Sequence, residues 1–539
     1  FRHITTIHHH QLLEGLQGTF ENIPAILVAG GPSLDKNIHL LKQARDKAII
    51  IAVDTALPAL IKNHVRPHFL TCIDPNDLTF EKFADVMPQV TDTALICSSW
   101  VNPKTPKTFP ADQVFWTFTS KPVEAWFNAL VGGTLLTGGA STVAHLNLVA
   151  AHMLKCDPII FVGQDLAYHG TDSASHADGT VLQGTAPKDK LSGHVQGETV
   201  VGINGEILRT NRSFLSMKAF FESAIARSEH THINATEGGA HIEGTQVLSL
   251  QDAIDRHCKT HTHPIQRLRD FYATHPPIDP SRLLSEIAEL LITAHKLEKT
   301  IKKSDDVAGA VLKALTKIQK SGRRIKSFDM LPQQQKTQIN KIDKFHKDLD
   351  SSLLVWKIAE EITMEGLKES ERQKQDISIL QNDPTHYMEW LEKNLIRLTD
   401  INTIRKNPLA FLSDNLKQVL AFHKTEAACL EKLRADFKND EARLGLARLY
   451  VESHNFRLAE PLLKELVTTQ PESGDVHFFL GCVAAQSNRF EQADACFRSA
   501  IACHPEFTHK IDEWKQAMGK EFLGFARYFK TQPGRELKI

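Results

Sequence analysis

The sequence predicts an α/β domain with a doubly wound parallel sheet, followed by an all-α region that ends in helical repeats. Short β-branched runs alternate with helical segments over residues 23–260, and stretches rich in Lys, Glu, Leu and Gln follow over 265–430. A 34-residue period then marks residues 436–510. A chain of 539 residues is also too long for one core, because domains usually run to roughly 100–200 residues.

The strand candidates are short apolar runs without polar alternation, which is typical of strands buried on both faces. They are Ala25–Val28, Ala48–Val53, Phe69–Ile73, Ala94–Cys97, Val114–Phe118, Ile159–Val162 and His230–Ile233. Helices are predicted between them at Asp35–Arg45, Leu57–Asn63 and Thr142–Lys155. This order favours a Rossmann-like sheet with helices on both faces.

The repeat region has matching residues 34 positions apart. The pairs are Leu446 and Leu480, Phe456 and Phe490, Ala459 and Ala493, and Pro471 and Pro505. A 34-residue helix pair that ends in Pro resembles the tetratricopeptide repeat, and its small residues are expected where the two helices approach closely. Such arrays usually bind protein segments, and the alternative is that they only cap or dimerise.

Four segments follow from these patterns. We predict an α/β domain over 23–264, a helical domain over 265–435 and the repeats over 436–539. Residues 1–22 form an N-terminal segment that is compatible with the remnant of an upstream domain, since the first residue is Phe rather than Met.

Composition and charge are those of an ordinary soluble protein. The net charge is −1, with 42% hydrophobic and 24% charged residues, which predicts neither nucleic-acid nor membrane binding. No apolar run reaches the roughly 20 residues of a membrane span, and no signal peptide is predicted. The eight cysteines lack paired spacings and are expected to be buried free thiols in a reducing compartment, which indicates the cytoplasm.

Polar and glycine clusters follow six of the predicted strands. They are Gly30-Gly31-Pro32-Ser33, Asp54-Thr55, Asp74-Pro75-Asn76, Ser98-Ser99-Trp100, Gly163-Gln164-Asp165 and Asn234-Ala235-Thr236-Glu237-Gly238-Gly239. Open α/β sheets bind ligands at the carboxyl ends of their strands. Each cluster alone could be a plain turn, but six at one edge favour a binding cleft.

Two glycine turns are candidates for phosphate binding. In the first, Gly30 and Gly31 allow close approach of a ligand, Pro32 sets an early helical φ, and Ser33 can cap. This turn has neither the Lys of a Walker A loop nor a G-x-G-x-x-G pattern. The second turn, with Gly139, Ser141 and Thr142, opens a helix and could instead be a plain N-cap.

The catalytic candidates lie at and beyond the end of one buried strand. Gln164 and Asp165 can orient hydroxyls or a base ring, and Tyr168 can donate to a leaving phosphate. The polar segment from His169 to Gly205 is interpreted as a mobile lid. It holds three histidines, His169, His176 and His194, of which one could serve as a base.

No metal site is predicted, because the chain has no HExxH, EF-hand or DxD pattern. The tract His8-His9-His10 is interpreted as a solvated end rather than a ligand set.

Five blocks resemble the motility associated factor (Maf) glycosyltransferases, in that family's order. They are Pro24 to Asp35, Ala52 to Leu57, Ile73-Asp74-Pro75, Gly163 to Tyr168 and Asn234 to Gly244. The resemblance implies a fold similar to bacterial sialyltransferases and a donor that is a CMP-activated nonulosonic acid, of pseudaminic or legionaminic type. The implied acceptor is Ser or Thr of flagellin, modified in the cytoplasm before export.

The resemblance also implies roles for individual residues. The donor is expected to be bound by residues from both glycine turns and from other strand ends. They are the first glycine turn, Asp54, Asp74, Asn76, the turn with Gly139, Ser141 and Thr142, Gln164, Glu237 and Gly238. Tyr168 would assist departure of CMP beside Asp165. The sialyltransferase base lies in a Gly-His pair like Gly193-His194, whereas a Maf-like lid places a His near His176, so both stay candidates.

One departure from the sialyltransferase pattern is Ala29-Gly30-Gly31, where those enzymes carry Gly-Asn-Gly. No cofactor or metal is required by this chemistry. Two alternatives remain: a 6-hydroxymethylpterin diphosphokinase-like enzyme that uses ATP and Mg²⁺, and a non-catalytic flagellin-binding scaffold.

Overall fold

The computed structural model describes residues 3–76, 80, 86–90, 92–138, 140–168, 177, 180, 198–352, 355–356, 386–487 and 489–521. The chain forms two compact units. The sheet unit comprises residues 2–120, 131–279 and 425–539, and the helical unit comprises 121–130 and 280–424.

The described part of the sheet unit contains two β-sheets. The strands are β1 (Gln11–Leu12), β2 (Ala25–Val28), β3 (Ile49–Val53), β4 (Phe69–Cys72), β5 (Ala94–Ser98), β6 (Val114–Thr117), β7 (Ile159–Val162), β8 (Thr199–Val201), β9 (Ile207–Arg209), β10 (His232–Asn234) and β11 (Gln246–Val247). The main sheet is parallel, with strand order β1-β6-β5-β4-β3-β2-β7-β10-β11, and β8 and β9 form an antiparallel hairpin. The expected α/β class and doubly wound sheet are confirmed.

The described residues up to Thr274 contain ten α-helices, three of them longer than ten residues. The α-helices of this part are α1 (Ile4–Ile7), α2 (Leu34–Asn37), α3 (Leu41–Ala44), α4 (Leu57–Lys62), α5 (Lys104–Lys107), α6 (Pro122–Leu130), α7 (Val143–Met153), α8 (Arg212–Ile225), α9 (Leu250–His257) and α10 (Pro264–Thr274). Helix α6 belongs to the helical unit. The single helix expected over Asp35–Arg45 is instead α2, a 3₁₀ turn at Ile38–Leu40, and α3.

The central strands are buried along their whole length, because helices cover the sheet. Every residue of β2, β3 and β7 is buried. Helix α7 packs on β2, β3 and β4, and inside this layer the Thr71 hydroxyl donates to Asn147 Oδ1 at 2.6 Å. Continuous Ile and Val side chains therefore form these strands without the polar alternation of a half-exposed sheet.

The N-terminal segment adds an edge strand that the sequence did not predict. Gln11 and Leu12 in β1 pair in parallel with Phe115 and Trp116 in β6. His10, directly before β1, is buried, and its Nδ1 accepts a hydrogen bond from Trp116 Nε1 at 2.8 Å. The histidine tract is therefore not a solvated end, and that interpretation is wrong.

The repeat region forms two successive helix pairs followed by a further helix. The helices are α14 (Asp440–Glu452), α15 (Phe456–Thr469), α16 (Gly474–Gln486), α17 (Phe490–Cys503) and α18 (Phe507–Glu521), after the long α13 (Tyr387–Ala435). The first helices of the two pairs begin 34 residues apart, and so do the second helices. Ala459 and Ala493, the expected close-approach positions, are fully buried.

The helical unit contains the long helices that the sequence predicts. Helix α11 (Ser281–Lys320) has 40 residues, and α12 (Gln333–Asp350) packs against it. Residues of α11 are buried at steps of three and four from Leu283 to Leu315, so one face points to the core. Asp305 in α11 accepts hydrogen bonds from Asn402 and Lys406 in α13 at 2.7 and 2.6 Å.

Other expectations concern the lid, the thiols and the membrane. The end of the expected lid holds β8, which pairs with β9 just beyond it, and most of the remainder, including His169, lies outside the described residues. All eight cysteines are free thiols, five of them buried. Within the described parts of the chain, no helix has the length and hydropathy needed to cross a membrane.

Candidate functional site

The strand order of the main sheet creates a switch point between β2 and β7. From β2 the chain builds outward through β3, β4, β5 and β6 on one side, and then returns with β7 on the other side of β2. The loops that follow β2 and β7 therefore leave the sheet in opposite directions from neighbouring carboxyl ends. Open α/β sheets bind ligands in the crevice that opens at such a point.

Asp165 joins the two loops at this crevice. Its Oδ2 accepts hydrogen bonds from the Ser33 hydroxyl at 2.8 Å and from the Ser33 N–H at 3.3 Å. The N–H of Gly31 donates to the Gly163 carbonyl at 2.8 Å. The N–H groups of Gly31 and Ser33 are thus engaged within the protein, so the phosphate contact expected for Gly31 is not available in this structure.

Glycine is required at three places around Asp165. A Cβ added at Gly31 would lie 1.9 Å from Asp165 Oδ2. Gly163, at φ +68°, and Gly239, at φ +76°, would place a Cβ 2.4 Å from the carbonyl oxygens of Ala29 and Asp165, respectively. Both the left-handed backbone and the close contacts exclude a larger residue. The loops after β2, β7 and β10 therefore interlock without side chains between them.

The loop after β10 is held to α2. The Asn37 side-chain amide donates to the Ala235 carbonyl at 3.1 Å and to Glu237 Oε1 at 3.2 Å, and Lys36 Nζ donates to the Glu237 carbonyl at 2.8 Å. Glu237 Oε1 also accepts from the Leu250 N–H at 3.0 Å. Through these bonds the Glu237 carboxylate positions the loop. The donor contact expected for Glu237 stays a prediction. Gly238, next to it, is buried.

Three buried polar atoms near this loop have no hydrogen-bond partner among the described residues. They are Asn37 Oδ1, Asn234 Nδ2 and Thr236 Oγ1. The side chains of Asn37, Asn234 and Thr236 are at most 1% exposed. Because buried polar atoms in proteins nearly always have a partner, a polar ligand or ordered water fits this position.

A second group of predicted residues follows β3 and β4. Asp54 is buried, and its carboxylate accepts hydrogen bonds from the Cys72 thiol at 3.1 Å and the Thr55 N–H at 2.8 Å. Burial raises the pKa of Asp54 to about 6, and these bonds and the nearby Asp74 charge modify that shift. Asp74 Oδ1 accepts from the N–H and side-chain amide of Asn76, which is exposed.

The second glycine turn behaves as a helix cap. Thr142 is the N-cap of α7, and its hydroxyl accepts a hydrogen bond from the His145 N–H at 3.2 Å. Ser141 is exposed, and its hydroxyl lies 3.4 Å from His145 Nδ1. Thr142 therefore caps α7, and the donor contacts expected of Ser141 and Thr142 stay predictions. Gly139 lies outside the described residues.

Tyr168 ends the segment that contains Asp165. It is buried, its N–H donates to the Arg209 carbonyl at 2.9 Å, and its hydroxyl accepts from the Asn211 amide at 2.6 Å. Asn211 is also the N-cap of α8. The hairpin β8–β9 and α8 thus fix the orientation of the Tyr168 ring. Gln164 is buried between Gly163 and Asp165.

The two candidate bases, His176 and His194, lie outside the described residues. Ala177, which follows His176 in the sequence, is described and fully buried. Its N–H donates to the Gly30 carbonyl at 2.9 Å. The chain at residue 177 is therefore fixed against the first glycine turn.

Sequence reasoning missed four residues that shape the site: Lys36, Asn37, Cys72 and Asn211. Asn211 carries a readable signal, since Asn before an amphipathic run indicates an N-cap. The other three act through contacts to residues 18 to 201 positions away. No local pattern encodes such contacts.

Parts of the chain are similar in sequence to known proteins. Residues 1–171 match the family model described as 6-hydroxymethylpterin diphosphokinase MptE-like, which is less than half of the chain. A segment of 56 residues is 38% identical to an uncharacterised protein of Treponema pallidum (strain Nichols), covering 10% of this chain and 27% of that protein.

Among solved structures, a MAf glycosyltransferase from Magnetospirillum magneticum AMB-1 is similar, with 14% identity and a TM-score of 0.38. The match covers 81% of this chain and 61% of that chain. This chain therefore spans less than two thirds of either protein.

Proposed function

We propose that this chain is a glycosyltransferase that moves a nonulosonic acid of pseudaminic or legionaminic type from a CMP-linked donor to Ser or Thr of flagellin. The observation that carries the proposal is the interlocked set of turns around Asp165 at the switch point. The blocks that resemble Maf enzymes supply these turns, through Gly31, Gly163 and Gly239. The reaction takes place in the cytoplasm and uses no metal or other cofactor.

The Asp165 carboxylate decides which part of the donor lies at the first glycine turn. A carboxylate repels phosphate and favours hydroxyl or amino donors. We therefore assign the ribose or the cytosine ring to the turn of Gly30, Gly31, Pro32 and Ser33, next to Gln164. The buried polar atoms of Asn37, Asn234 and Thr236 that have no hydrogen-bond partner among the described residues support binding of a polar group of the donor near Gly238.

The phosphate then lies away from Asp165. Ser141 at the start of α7 offers an exposed hydroxyl beside a helix N-terminus, and α7 has 11 residues. Tyr168 is oriented by Asn211 to assist departure of CMP. Asp54, Asp74 and Asn76 line the neighbouring strand ends and contact the donor from that side.

In the transfer step, the bond between the anomeric carbon and the CMP phosphate oxygen breaks, and the acceptor hydroxyl oxygen bonds to that carbon. A base removes the hydroxyl proton. Because Ala177 is bonded to Gly30, we assign the base to His176 rather than His194. General-base catalysis contributes about 10²–10⁴ in rate, so His176→Ala should lower turnover by about that factor.

The repeats over 436–539 are the proposed docking surface for flagellin. Deuterium uptake of α14 to α17 should fall when flagellin is added to the full chain. Unchanged uptake there would remove the repeats from acceptor binding.

The test is a transfer reaction with flagellin, each CMP-linked donor and EDTA, read by intact mass and by CMP release. The proposal predicts a mass increase equal to one transferred sugar residue (the free sugar less one water), lost in His176→Ala and kept in His194→Ala. Unmodified flagellin with both donors would exclude these two sugars as substrates of the chain.

The second candidate is a 6-hydroxymethylpterin diphosphokinase-like activity, which the family match over residues 1–171 favours. That reaction transfers diphosphate from ATP with Mg²⁺. Incubation with 6-hydroxymethylpterin, ATP and Mg²⁺ would then yield the pterin diphosphate and AMP, and EDTA would abolish it.

A further inference from the structure

Two histidines of the N-terminal segment meet a glutamate from the end of α13. His8 Nε2 lies 2.8 Å from Glu426 Oε2, and His9 Nε2 lies 3.0 Å from Glu426 Oε1. Ligand atoms of His8, His9 and Glu426 all lie within 4.8 Å of one another. The residues are more than 400 positions apart in sequence but belong to the same sheet unit.

The separations suit a shared metal ion. Zinc binds His nitrogen and carboxylate oxygen at about 2.0–2.2 Å in tetrahedral geometry, so neighbouring ligand atoms lie about 3.4 Å apart. That is roughly 0.5 Å more than the His8–Glu426 and His9–Glu426 separations and within the 4.8 Å spread of the cluster, so a small outward shift of the side chains admits the ion. Two imidazoles and one carboxylate, with a fourth position for water, form a known zinc ligand set. Soft thiolate ligands are absent from the described cluster, which makes a Cu(I) site a poor fit.

The surroundings favour a cation at this position. The Glu426 side chain is only 4% exposed, and the side chains of His8 and His9 are 12% and 21% exposed. A buried carboxylate needs positive charge nearby. The Tyr450 hydroxyl in α14 donates to Glu426 Oε1 at 2.8 Å. Such an outer hydrogen bond orients a metal-binding carboxylate.

We infer that His8, His9 and Glu426 form a binding site for a divalent transition metal, with zinc as the ion that fits. The ion links the N-terminal segment to the end of α13, and Tyr450 extends this link to α14. The site is separate from the cleft around Asp165, and the inference does not depend on the proposed transferase activity.

The competing explanation is a protonated histidine paired with Glu426, which needs no metal. The two are separated by metal content and affinity. The full chain is prepared without a polyhistidine tag, treated with EDTA, dialysed, and titrated with Zn²⁺ by calorimetry. Bound zinc is counted by plasma mass spectrometry after gel filtration.

The inference predicts one zinc per chain, lost in Glu426→Gln, which keeps a hydrogen-bonding side chain, and in the double variant His8→Ala/His9→Ala. Tyr450→Phe should weaken zinc affinity by about 10- to 100-fold while keeping the stoichiometry. The matched control is His261→Ala/His263→Ala, which removes two exposed histidines with ring centroids 6.0 Å apart. That control should bind zinc as the wild type does.

Zinc should also raise the unfolding temperature of the wild type and leave that of Glu426→Gln unchanged. This readout is independent of activity. A wild-type chain that retains no zinc would overturn the inference in favour of the protonated pair. Zinc bound equally by Glu426→Gln, or lost in the His261/His263 control, would place the ion elsewhere and overturn it as well.

Discussion

At the scale of single residues, Asp165 is where the loops after β2, β7 and β10 converge. Ser33 donates to its carboxylate, Gly31 lies against the same oxygen, and its backbone carbonyl accepts from the Ala240 N–H at 2.7 Å. The sequence predicted that these loops lie at one edge, because carboxyl ends of parallel strands share an edge. It could not predict that Ser33 bonds to Asp165, because that pairing depends on side-chain placement across 132 residues.

Gly31→Ala should disrupt this convergence. The added Cβ would lie 1.9 Å from Asp165 Oδ2 and 2.5 Å from the Gly163 carbonyl, so the loops must separate. Overpacking of this kind costs about 1–3 kcal/mol. We expect a lower unfolding temperature and loss of CMP binding. The control is Gly309→Ala in α11, where a Cβ meets nothing within 4 Å. Wild-type behaviour of Gly31→Ala would show that the turn is not tightly packed.

Asp54 makes a prediction about pH. Its pKa is raised from 3.8 to about 6, so the folded state binds a proton more tightly than the unfolded state. Its contribution to stability is therefore full below pH 4 and is lost as the pH rises to 6, by about 2–3 kcal/mol. Relative to wild type, Asp54→Asn should gain that amount between pH 4 and pH 8.

Urea unfolding of the wild type and Asp54→Asn at both pH values measures this gain in the free energy of unfolding. Any hydrogen bond that the substitution removes lowers stability at both pH values alike, so it cancels from the difference. Asp46→Asn, at an exposed position, serves as the control. An Asp54→Asn difference that is equal at the two pH values would contradict a raised pKa.

At the scale of elements, the sequence predicts helices that repeat with a strong period, and it does not predict elements of only a few residues. The 34-residue period predicted helix pairs whose bounds are offset by 34. In contrast, β1 has two residues and gains its stability from β6, which no local pattern shows. Helix α6 lies within the α/β sequence but clusters with residues 280–424, because tertiary packing decides its unit.

In each helix pair of the repeats, two facing positions combine a small residue with a larger one. In the second pair of helices, a Cβ at Gly481 would lie 2.4 Å from the Phe497 ring. The positions 34 residues earlier are Ala447 and Leu463, both fully buried. The first pair therefore combines Ala with Leu, and the second pair combines the smaller Gly with the larger Phe.

Gly481→Ala should therefore destabilise the chain by about 1–3 kcal/mol, since the Phe497 ring is enclosed by Phe478 and Trp514. Adding Phe497→Leu recreates the first pair's combination and should recover part of this loss. A double-mutant cycle by thermal unfolding gives the coupling. Additive effects of the two substitutions would contradict direct packing between them.

At the scale of the whole molecule, several buried histidines make the fold sensitive to acid. Burial lowers the pKa of His68 to about 3 and the pKa values of His145 and His232 to about 4. Unfolding returns each to its ordinary value of 6.5, so their stabilising contribution is full above pH 6.5 and is lost as pH falls towards 4.

Lowering the pH from 7.5 to 5 should thus reduce the unfolding temperature, by roughly 4–6 °C for a loss of about 3–5 kcal/mol, because a unit of this size has a large unfolding entropy. Asp54 acts in the opposite direction and offsets part of the effect. Proton uptake on unfolding at pH 5, measured by calorimetry in two buffers, should be positive. Proton release at that pH would contradict neutral buried histidines.

The central claim is that the cleft around Asp165 binds a CMP-linked donor without metal. The most direct measurement is the shift in unfolding temperature caused by CMP, CDP, UDP, GDP, and ATP with and without Mg²⁺, on the wild type and Gly31→Ala. We predict stabilisation by CMP in EDTA, selective over the other nucleotides and absent in Gly31→Ala. Stabilisation by ATP with Mg²⁺ alone, and none by CMP, would contradict the claim and favour the diphosphokinase-like activity.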